Sequence, residues 1–144
     1  MMENKQYLLD TNILIEFVHG NRSVINRILH TGFDRCCMSV VSLQELYYGA
    51  YKAKYSKQIY FDQEMVRINM LRKRFTVLPL PEEADGYGQI KANLQQKGKL
   101  IDEFDMLIGG HALAEGLTVV TDNVKHFERI SGLKIENWRV DTDQ

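Results

Sequence analysis

The 144-residue chain has little of what fibrous, disordered, membrane or disulfide-rich proteins require. It contains two prolines and two cysteines, and no run of strictly apolar residues exceeds three. Collagen-like and low-complexity classes are thereby excluded, and we expect neither a membrane span nor a signal-peptide apolar core. Hydrophobic residues make up 44% and charged residues 26%, as in globular proteins. We therefore expect a soluble, cytoplasmic single domain over residues 1–144, long enough to bury a sizeable core.

The two cysteines indicate no disulfide and no zinc site. Cys36 and Cys37 are adjacent in a segment that resembles a strand, so their side chains point to opposite faces and can hardly bridge each other. The sequence has no CxxC and no paired-histidine spacing. We expect two reduced thiols in the core.

The net charge of −1 neither favours nor opposes nucleic-acid binding, but its distribution is uneven. Residues 51–74 carry seven basic side chains against two acidic ones, a balance of +5. A basic segment beside an acidic remainder is typical of a phosphate-binding protein with a carboxylate site, although charge alone favours a solvated helix face. The basic residues are Lys52, Lys54, Lys57, Arg67, Arg72, Lys73 and Arg74.

Short apolar segments alternate with longer amphipathic ones along the chain. Five short segments have the apolar, β-branched or aromatic composition of buried strands, and we predict strands at residues 6–10, 36–41, 76–80, 118–121 and 134–136. Helical spacing of apolar residues predicts helices over 42–56, 59–75 and 102–115, and a further helix that starts near Pro81 and stops at Gly98. This alternation indicates an α/β fold with a central, mostly parallel sheet of about five strands.

Two aspartates stand where ligands bind to such sheets, beyond the carboxyl ends of the strands. Asp10 ends the first predicted strand, and Asp122 directly follows the fourth. Aspartate also favours turns and helix caps, so both roles stay open for each residue taken singly.

Glu45 and Asp105 have a similar ambiguity. The segment SLQE at 42–45 matches a capping box, in which Glu45 would accept a hydrogen bond from the backbone at the helix start. Spacing alone favours that role over a catalytic one. Asp105 likewise lies three residues after Asp102, a possible cap.

The surroundings of Asp105 favour a functional role. From 104 to 114 (FDMLIGGHALA) only Asp105 and His111 are polar, so this helix should be buried nearly all round. Like charges about 4 Å apart repel by ~4 kcal/mol at an effective dielectric of about 20. Converging carboxylates would therefore share a proton or hold a divalent cation, and oxygen ligands favour Mg²⁺ or Mn²⁺.

The acids lie in four segments whose order is distinctive. These are LLDTNILI at 8–15, SVVSLQEL at 39–46, DEFDMLIGGHAL at 102–113 and TVVTDNVKHFERISGL at 118–133, followed by ENW at 136–138. In this order they resemble the PIN-domain ribonucleases, and most closely the VapC-type toxins of bacterial toxin–antitoxin pairs. The resemblance extends from residue 7 to Trp138 and implies a PIN-like α/β/α sandwich.

The resemblance also implies an Mg²⁺- or Mn²⁺-dependent endoribonuclease with a defined set of site residues. Its catalytic acids fall on Asp10, Glu45, Asp105 and Asp122, of which Asp10 and Asp105 would bind the metal. The residues that position substrate or water fall on Thr11, Asn12 and Thr121.

Partners are implied by the same resemblance. We expect a cognate VapB-type antitoxin that places a basic residue among the carboxylates, and an RNA substrate such as tRNA or rRNA. A homodimer formed through the helices of residues 42–75 is also expected, as is a hetero-oligomer with the antitoxin.

On this basis we hypothesise phosphodiester hydrolysis by an activated water. Asp10 would be the central metal ligand, Asp105 and Glu45 would complete the shell, and Asp122 would orient a second metal or the water. The basic segment 51–74 would hold RNA phosphates.

Three alternatives stay open. A housekeeping nuclease in RNA processing would use the same chemistry and differs from a toxin in gene context. A non-catalytic RNA-binding domain has no reason to keep mutually repelling carboxylates. An aspartyl-phosphate protein of the haloacid-dehalogenase kind would need aspartate at position 12, where Asn12 stands.

Several other residues are given structural roles. His111 is expected to be a hydrogen-bonded core histidine, His126 a surface residue and Trp138 a packing anchor. The pair Gly109-Gly110 predicts close packing near the site, since each mid-helix glycine costs about 1 kcal/mol relative to alanine. Core or dimer contacts are favoured over base stacking for Tyr47, Tyr48 and Tyr51.

Overall fold

In a computed structural model, which describes residues 5–140, five short strands form one central sheet. The strands are β1 (Tyr7–Leu9), β2 (Cys36–Ser39), β3 (Thr76–Leu78), β4 (Thr118–Val120) and β5 (Ile135–Glu136). Every pairing is parallel, so all the carboxyl ends lie along one edge. The predicted α/β class and its strands are confirmed, and the sheet is wholly rather than mostly parallel.

The helices connect these strands and cover both faces of the sheet. They are α1 (Thr11–Val18), α2 (Arg22–Thr31), α3 (Val40–Lys54), α4 (Gln58–Arg74), α5 (Gly86–Gln96), α6 (Glu103–Glu115) and α7 (Val124–Phe127), with a 3₁₀ turn at Phe33–Arg35. In the described part of the chain, no helix is long and apolar enough to cross a bilayer.

The strand order is β3-β2-β1-β4-β5, which places a topological switch point between β1 and β4. The chain proceeds from β1 outward through β2 and β3, then returns to the other side of β1 to form β4. Crossovers that leave in opposite directions open a crevice at the carboxyl edge of the two central strands. Asp10 and Thr121 directly follow these strands, so both stand at the crevice.

Alternate strand residues face two separate hydrophobic layers. Leu8 and Cys37 pack with residues of α5, α6 and α7, whereas Leu9 and Cys36 pack with residues of α1 to α4 and with Trp138. The prediction that the two thiols are buried on opposite faces is confirmed. Burial raises the pKa of each thiol to about 12.

Helix α6 packs against α5 through glycine. A Cβ atom added at Gly110 would lie 2.9 Å from the backbone nitrogen of Tyr87, and one added at Gly109 would lie 2.5 Å from the end of the Ile130 side chain. The predicted close packing is therefore confirmed, but it joins α6 to α5 and to Ile130 rather than surrounding the acidic residues.

Two helix starts differ from the sequence prediction. Helix α3 begins at Val40, after the cap Ser39, and α5 begins at Gly86 rather than near Pro81. The fixed φ of proline suits extended backbone as well as a first helical turn, so Pro81 did not specify a helix. Helices α1 and α2 were not predicted.

The two residues expected to be packed in the core are both buried. Trp138 is fully buried and donates from Nε1 to Glu136 at 2.9 Å, as an anchor should. His111 is also buried, with Nδ1 2.9 Å from the Ser39 hydroxyl. Its Nε2 has no hydrogen-bond partner among residues 5–140, so only one of the two ring nitrogens of His111 forms a hydrogen bond there.

Candidate active site

Asp10 joins the ends of the two central strands. Its backbone N–H donates to the Val120 carbonyl at 2.9 Å, and its side chain caps α1 by accepting from the Thr11 N–H at 2.8 Å. The other carboxylate oxygen accepts from the Thr121 hydroxyl at 2.9 Å. Asp10 is only 3% exposed. The sequence left helix capping and a position in the crevice as alternatives for Asp10, and in the structure Asp10 has both.

Burial makes the Asp10 carboxyl reluctant to ionise. Desolvation is the largest cause that raises its pKa from 3.8 to about 7, and the charges of Asp105 and Glu45 raise it further. The hydrogen bonds from Thr121 and Thr11 act in the opposite direction. At neutral pH this carboxyl is therefore only partly ionised.

Glu45 is directed by its helix towards Thr11, the residue that follows Asp10. Because α3 begins at Val40, residue 45 lies in its second turn, and the Ser39 hydroxyl caps the helix by accepting from the Val41 N–H at 3.1 Å. The predicted capping box at 42–45 is wrong. Glu45 instead accepts a hydrogen bond from the Thr11 hydroxyl at 2.6 Å. Burial is the main cause that raises the pKa of Glu45, and the Asp105 charge adds to it.

Asp105 lies in the first turn of α6 and faces the loop after β4. Asp102 caps the helix by accepting from the Phe104 N–H at 2.9 Å, which leaves the Asp105 carboxylate available. One of its oxygens accepts from the Asn123 side-chain amide at 3.1 Å and lies 3.4 Å from His126 Nδ1. Burial raises the pKa of Asp105, and the contact with His126 opposes that rise.

Asn123 and His126 were not predicted as site residues. His126 was expected to be a surface residue, and its side chain is 41% exposed, but the ring nitrogen faces Asp105. The spacing of Asn123 and His126, three residues apart in TDNVKHF, is the signal that was available, because α7 places both on one side of a helical turn.

Asp122 stands apart from the other three acids. Its carboxylate accepts from the Arg139 guanidinium at 2.9 Å, and Arg139 also lies 3.6 Å from Glu16. The described contacts therefore place Asp122 in an ion-pair network at the rim of the crevice, next to Thr121 but without a contact to Asp10.

The three predicted positioning residues differ in their surroundings. Thr121 is fully buried and links Asp10 to the loop, since its hydroxyl also accepts from the Asn123 N–H at 2.9 Å. Thr11 links α1 to Glu45 as described above. Asn12 is exposed and lines, with Thr11 and Glu45, a groove of about 270 Å³ between α1, α3 and α4.

The donor set suits a hard divalent cation. Within residues 5–140, no three His, Cys, Asp or Glu side chains are close enough to form a complete metal cage. Mg²⁺ does not need one, because one or two carboxylates commonly hold it together with water and substrate phosphates. Asp10 and Asp105 offer oxygen ligands only, and a bound cation would favour the ionised form of each carboxyl, which burial disfavours. These residues fit the metal that the sequence resemblance implies.

The segment 51–74 forms most of the α3–α4 helical hairpin, and several of its cations already have partners there. Arg67 forms a salt bridge with Glu64. Other cations lie over aromatic rings, Lys54 over Phe61 at 5.2 Å, Lys57 over Tyr60 at 5.8 Å and Arg74 over Phe33 at 5.6 Å.

The whole arrangement matches a known domain. The family model described as the PIN domain matches residues 7–133. This range contains strands β1 to β4 and all four predicted catalytic acids, and it ends just before β5. The chain therefore belongs to the PIN-domain family.

Within that family the chain is similar to VapC ribonucleases. It is 37% identical to Ribonuclease VapC2 of Haemophilus influenzae and 34% identical to the tRNA(fMet)-specific endonuclease VapC of Shigella flexneri. Each alignment covers 92% of this chain and 98% of the relative.

Solved structures agree with this placement. The crystal structure of VapBC2 from Rickettsia felis, bound to a DNA fragment from its promoter, superimposes with a TM-score of 0.81 at 32% identity, over 92% of this chain and 98% of that one. DNA-bound VapBC from Salmonella typhimurium superimposes with the same TM-score at 33% identity, over 93% and 98%.

Proposed function

We propose that this chain is a divalent-metal-dependent endoribonuclease that acts in the cytoplasm as the toxin of a VapBC-type pair, with tRNA as its substrate. The observation that carries the proposal is the buried Asp10 at the crevice between β1 and β4, where the charges of Asp105 and Glu45 are near enough to raise the pKa of its carboxyl further. The identity of about a third to VapC ribonucleases supports the reaction class.

Asp10 and Asp105 are the residues that would hold the cation. When bound, a divalent cation lowers the pKa of the attacking water and offsets the negative charge that gathers on the phosphoryl oxygens. Two hydrogen bonds, from the Thr11 N–H and the Thr121 hydroxyl, hold the Asp10 carboxylate in one orientation, so its oxygens need not reorient when a cation binds. Asn123 orients Asp105 in the same way.

Glu45 is the residue best placed to act on water. Burial raises the pKa of Glu45, and Thr11 fixes one of its carboxylate oxygens. The second oxygen is left to accept a proton from the attacking water. Asp122 would support the site from the rim, where Arg139 keeps it paired. Asn12, exposed beside Thr11, is placed to contact RNA.

An antitoxin would inhibit by supplying the positive charge that the acids lack. A lysine or arginine placed among Asp10, Glu45 and Asp105 would form charge-assisted hydrogen bonds and compete with the cation. The similar structures named above are VapBC complexes, which supports a partner of this kind. A homodimer through the α3–α4 hairpin belongs to the same proposal.

The direct test is cleavage of bulk bacterial tRNA by the purified protein. We expect cleavage with Mg²⁺ or Mn²⁺, none in EDTA, and a loss of about a hundredfold or more in the Asp10→Asn variant. Asp34→Asn is the matched control, because Asp34 is exposed and lies before β2, at the opposite edge of the sheet. Undiminished cleavage by Asp10→Asn would overturn the proposed site.

Expression in bacterial cells separates a toxin from a housekeeping nuclease. We expect the wild type to arrest growth, the Asp10→Asn variant not to, and co-expression of an antitoxin encoded beside the gene to restore growth. Cells that grow normally while the purified protein still cleaves RNA would favour the housekeeping role.

A further inference from the structure

A second group of cations lies outside the basic segment of residues 51–74. Lys97, Lys99, Lys125 and Arg129 line one surface cavity of about 650 Å³, in which Glu128 is the single acidic residue. We call these four residues the cationic pocket. All four are exposed, and none forms a salt bridge within residues 5–140.

The backbone holds these like charges together. The Arg129 guanidinium donates to the carbonyls of Lys99 at 3.2 Å and of Leu100 at 3.3 Å, which fastens the loop after α5 to the end of α7. Gly98, with a φ of +66°, turns the chain sharply between the two lysines of that loop. Clustered cations repel one another unless an anion lies between them, so this arrangement suits a ligand with several negative charges.

Two short segments of chain connect the cationic pocket to the acidic site. Lys125 precedes His126, whose ring lies 3.4 Å from Asp105, and Lys99 lies three residues before Asp102, the cap of the helix that carries Asp105. The pocket thus stands on the α6–α7 side of the crevice, whereas the groove beside Asn12 lies on the α1–α3 side.

We propose that the cationic pocket binds backbone phosphates of the RNA strand next to the bond that is cut. The inference rests on the proposed function, because it takes RNA as the ligand. RNA is favoured over an acidic protein because the proposed reaction places an RNA strand at the carboxyl edge of the sheet, where α7 and Lys125 also lie. The phosphates of one strand supply several negative charges in a row, which a group of neighbouring cations can contact together. By contrast, several cations of segment 51–74 are engaged within their own hairpin.

Binding, not cleavage, is the measurement that tests this inference. Fluorescently labelled bulk bacterial tRNA is titrated with Asp10→Asn protein in EDTA, so that neither cleavage nor a metal enters the result. In this background we expect the triple variant K97E/K99E/K125E to weaken binding by about tenfold or more at ~0.1 M salt, and to lower the slope of log K against log salt by about 2 to 3.

Two further variants control for folding and for total charge. The triple variant K97R/K99R/K125R keeps the charges and should bind as tightly as its parent. The variant K5E/R22E/K134E makes the same change in charge at three cations outside both the pocket and the basic segment 51–74, and should weaken binding far less. Thermal melts of all variants should agree, because none of the substituted side chains is buried.

Each outcome has a distinct meaning. Equal losses from the two triple glutamate variants would overturn the inference, since binding would then follow net charge alone. Unchanged tRNA binding by K97E/K99E/K125E, with weakened association to the antitoxin, would overturn it in favour of a protein interface. A wild type that binds tRNA through the pocket but never cleaves RNA would contradict the proposed function and leave only the phosphate-binding role of the pocket standing.

Discussion

At the scale of single residues, the Asp10 carboxyl couples the site to the stability of the protein. Its pKa is about 7 in the folded chain against 3.8 ordinarily, so between these values the folded chain keeps a proton that the unfolded chain has released. The free energy of unfolding of the metal-free protein should therefore fall as pH rises through this range. The loss from this group alone is on the order of 4 kcal/mol.

We predict that Asp10→Asn removes most of this pH dependence. Measured by urea unfolding in EDTA at pH 5 and pH 8, the wild type should lose stability on going to pH 8 and the variant should lose much less. Asparagine cannot ionise, although it must rearrange the hydrogen bond with Thr121. The Asp34→Asn control should keep the wild-type slope, and parallel slopes for all three proteins would contradict the assignment.

Added Mg²⁺ extends the same measurement. A cation that binds the ionised carboxylates stabilises the folded state by mass action, and this gain requires deprotonated Asp10. The stabilisation of the wild type by Mg²⁺ should therefore be larger at pH 8 than at pH 5. It should be small in Asp10→Asn at both values.

At the scale of elements, the crossing of α5 and α6 positions one of the acids. Helix α6 presents Asp105 at its first turn and is packed through Gly110 onto Gly86 and Tyr87 of α5. The contact is backbone on backbone, so it leaves no flexible side chain to absorb an added methyl group.

We predict that Gly110→Ala destabilises the protein more than Gly109→Ala does. At Gly110 the new methyl group meets the Tyr87 backbone nitrogen at 2.9 Å, so we expect a loss of ~1–3 kcal/mol despite the better helix propensity of alanine. At Gly109 the methyl group meets the end of the Ile130 side chain, which can turn away. Denaturant unfolding measures both.

Gly88→Ala is the matched control for this pair. Gly88 lies within α5 and has no neighbour within 4 Å of an added Cβ, so alanine should raise stability by up to ~1 kcal/mol. Equal effects at Gly110 and Gly88 would show that the helix crossing tolerates a wider separation.

At the scale of the whole molecule, the α3–α4 hairpin leaves a large apolar surface exposed. This hairpin surface consists of Tyr48, Tyr51, Tyr55, Ile59, Tyr60 and Val66, with Tyr55 94% exposed. Exposed aromatic and aliphatic side chains grouped on one helical hairpin are typical of an interaction site. The exposure of Tyr48 and Tyr51 removes the core role considered for them and leaves dimer contact as the prediction.

We predict that the protein is a homodimer through the hairpin surface. Analytical ultracentrifugation at micromolar concentration should give a dimer for the wild type and a monomer for Tyr48→Glu/Tyr55→Glu, because two carboxylates would be buried without partners. Leu29→Glu, at an exposed position of α2, is the control and should remain dimeric. A monomeric wild type would contradict the prediction.

Local patterns were sufficient for the framework of the molecule. The five strands, the two helices of the hairpin and the helix that carries Asp105 follow from apolar periodicity and β-branched composition, which act over a few residues. Helix α1 was missed because its apolar residues, as in ILI at 13–15, are as typical of a strand as of a short helix. Asp10 and Asp105 could be named because strand ends and a nearly all-apolar helix single them out.

The choice between competing roles for the same residue depended on contacts between distant segments. The sequence pattern predicts that Glu45 caps a helix. Only the hydrogen bond from Thr11, 34 positions away, connects Glu45 to the candidate site. Likewise, His126 faces Asp105 across 21 positions, and the loop at Lys99 meets Arg129 across 30. Periodicity describes which face of an element is apolar. Which two polar faces then meet depends on how the elements cross, and here the crossings bring the carboxylates of the candidate site and the lysines of the cationic pocket to one edge of the sheet.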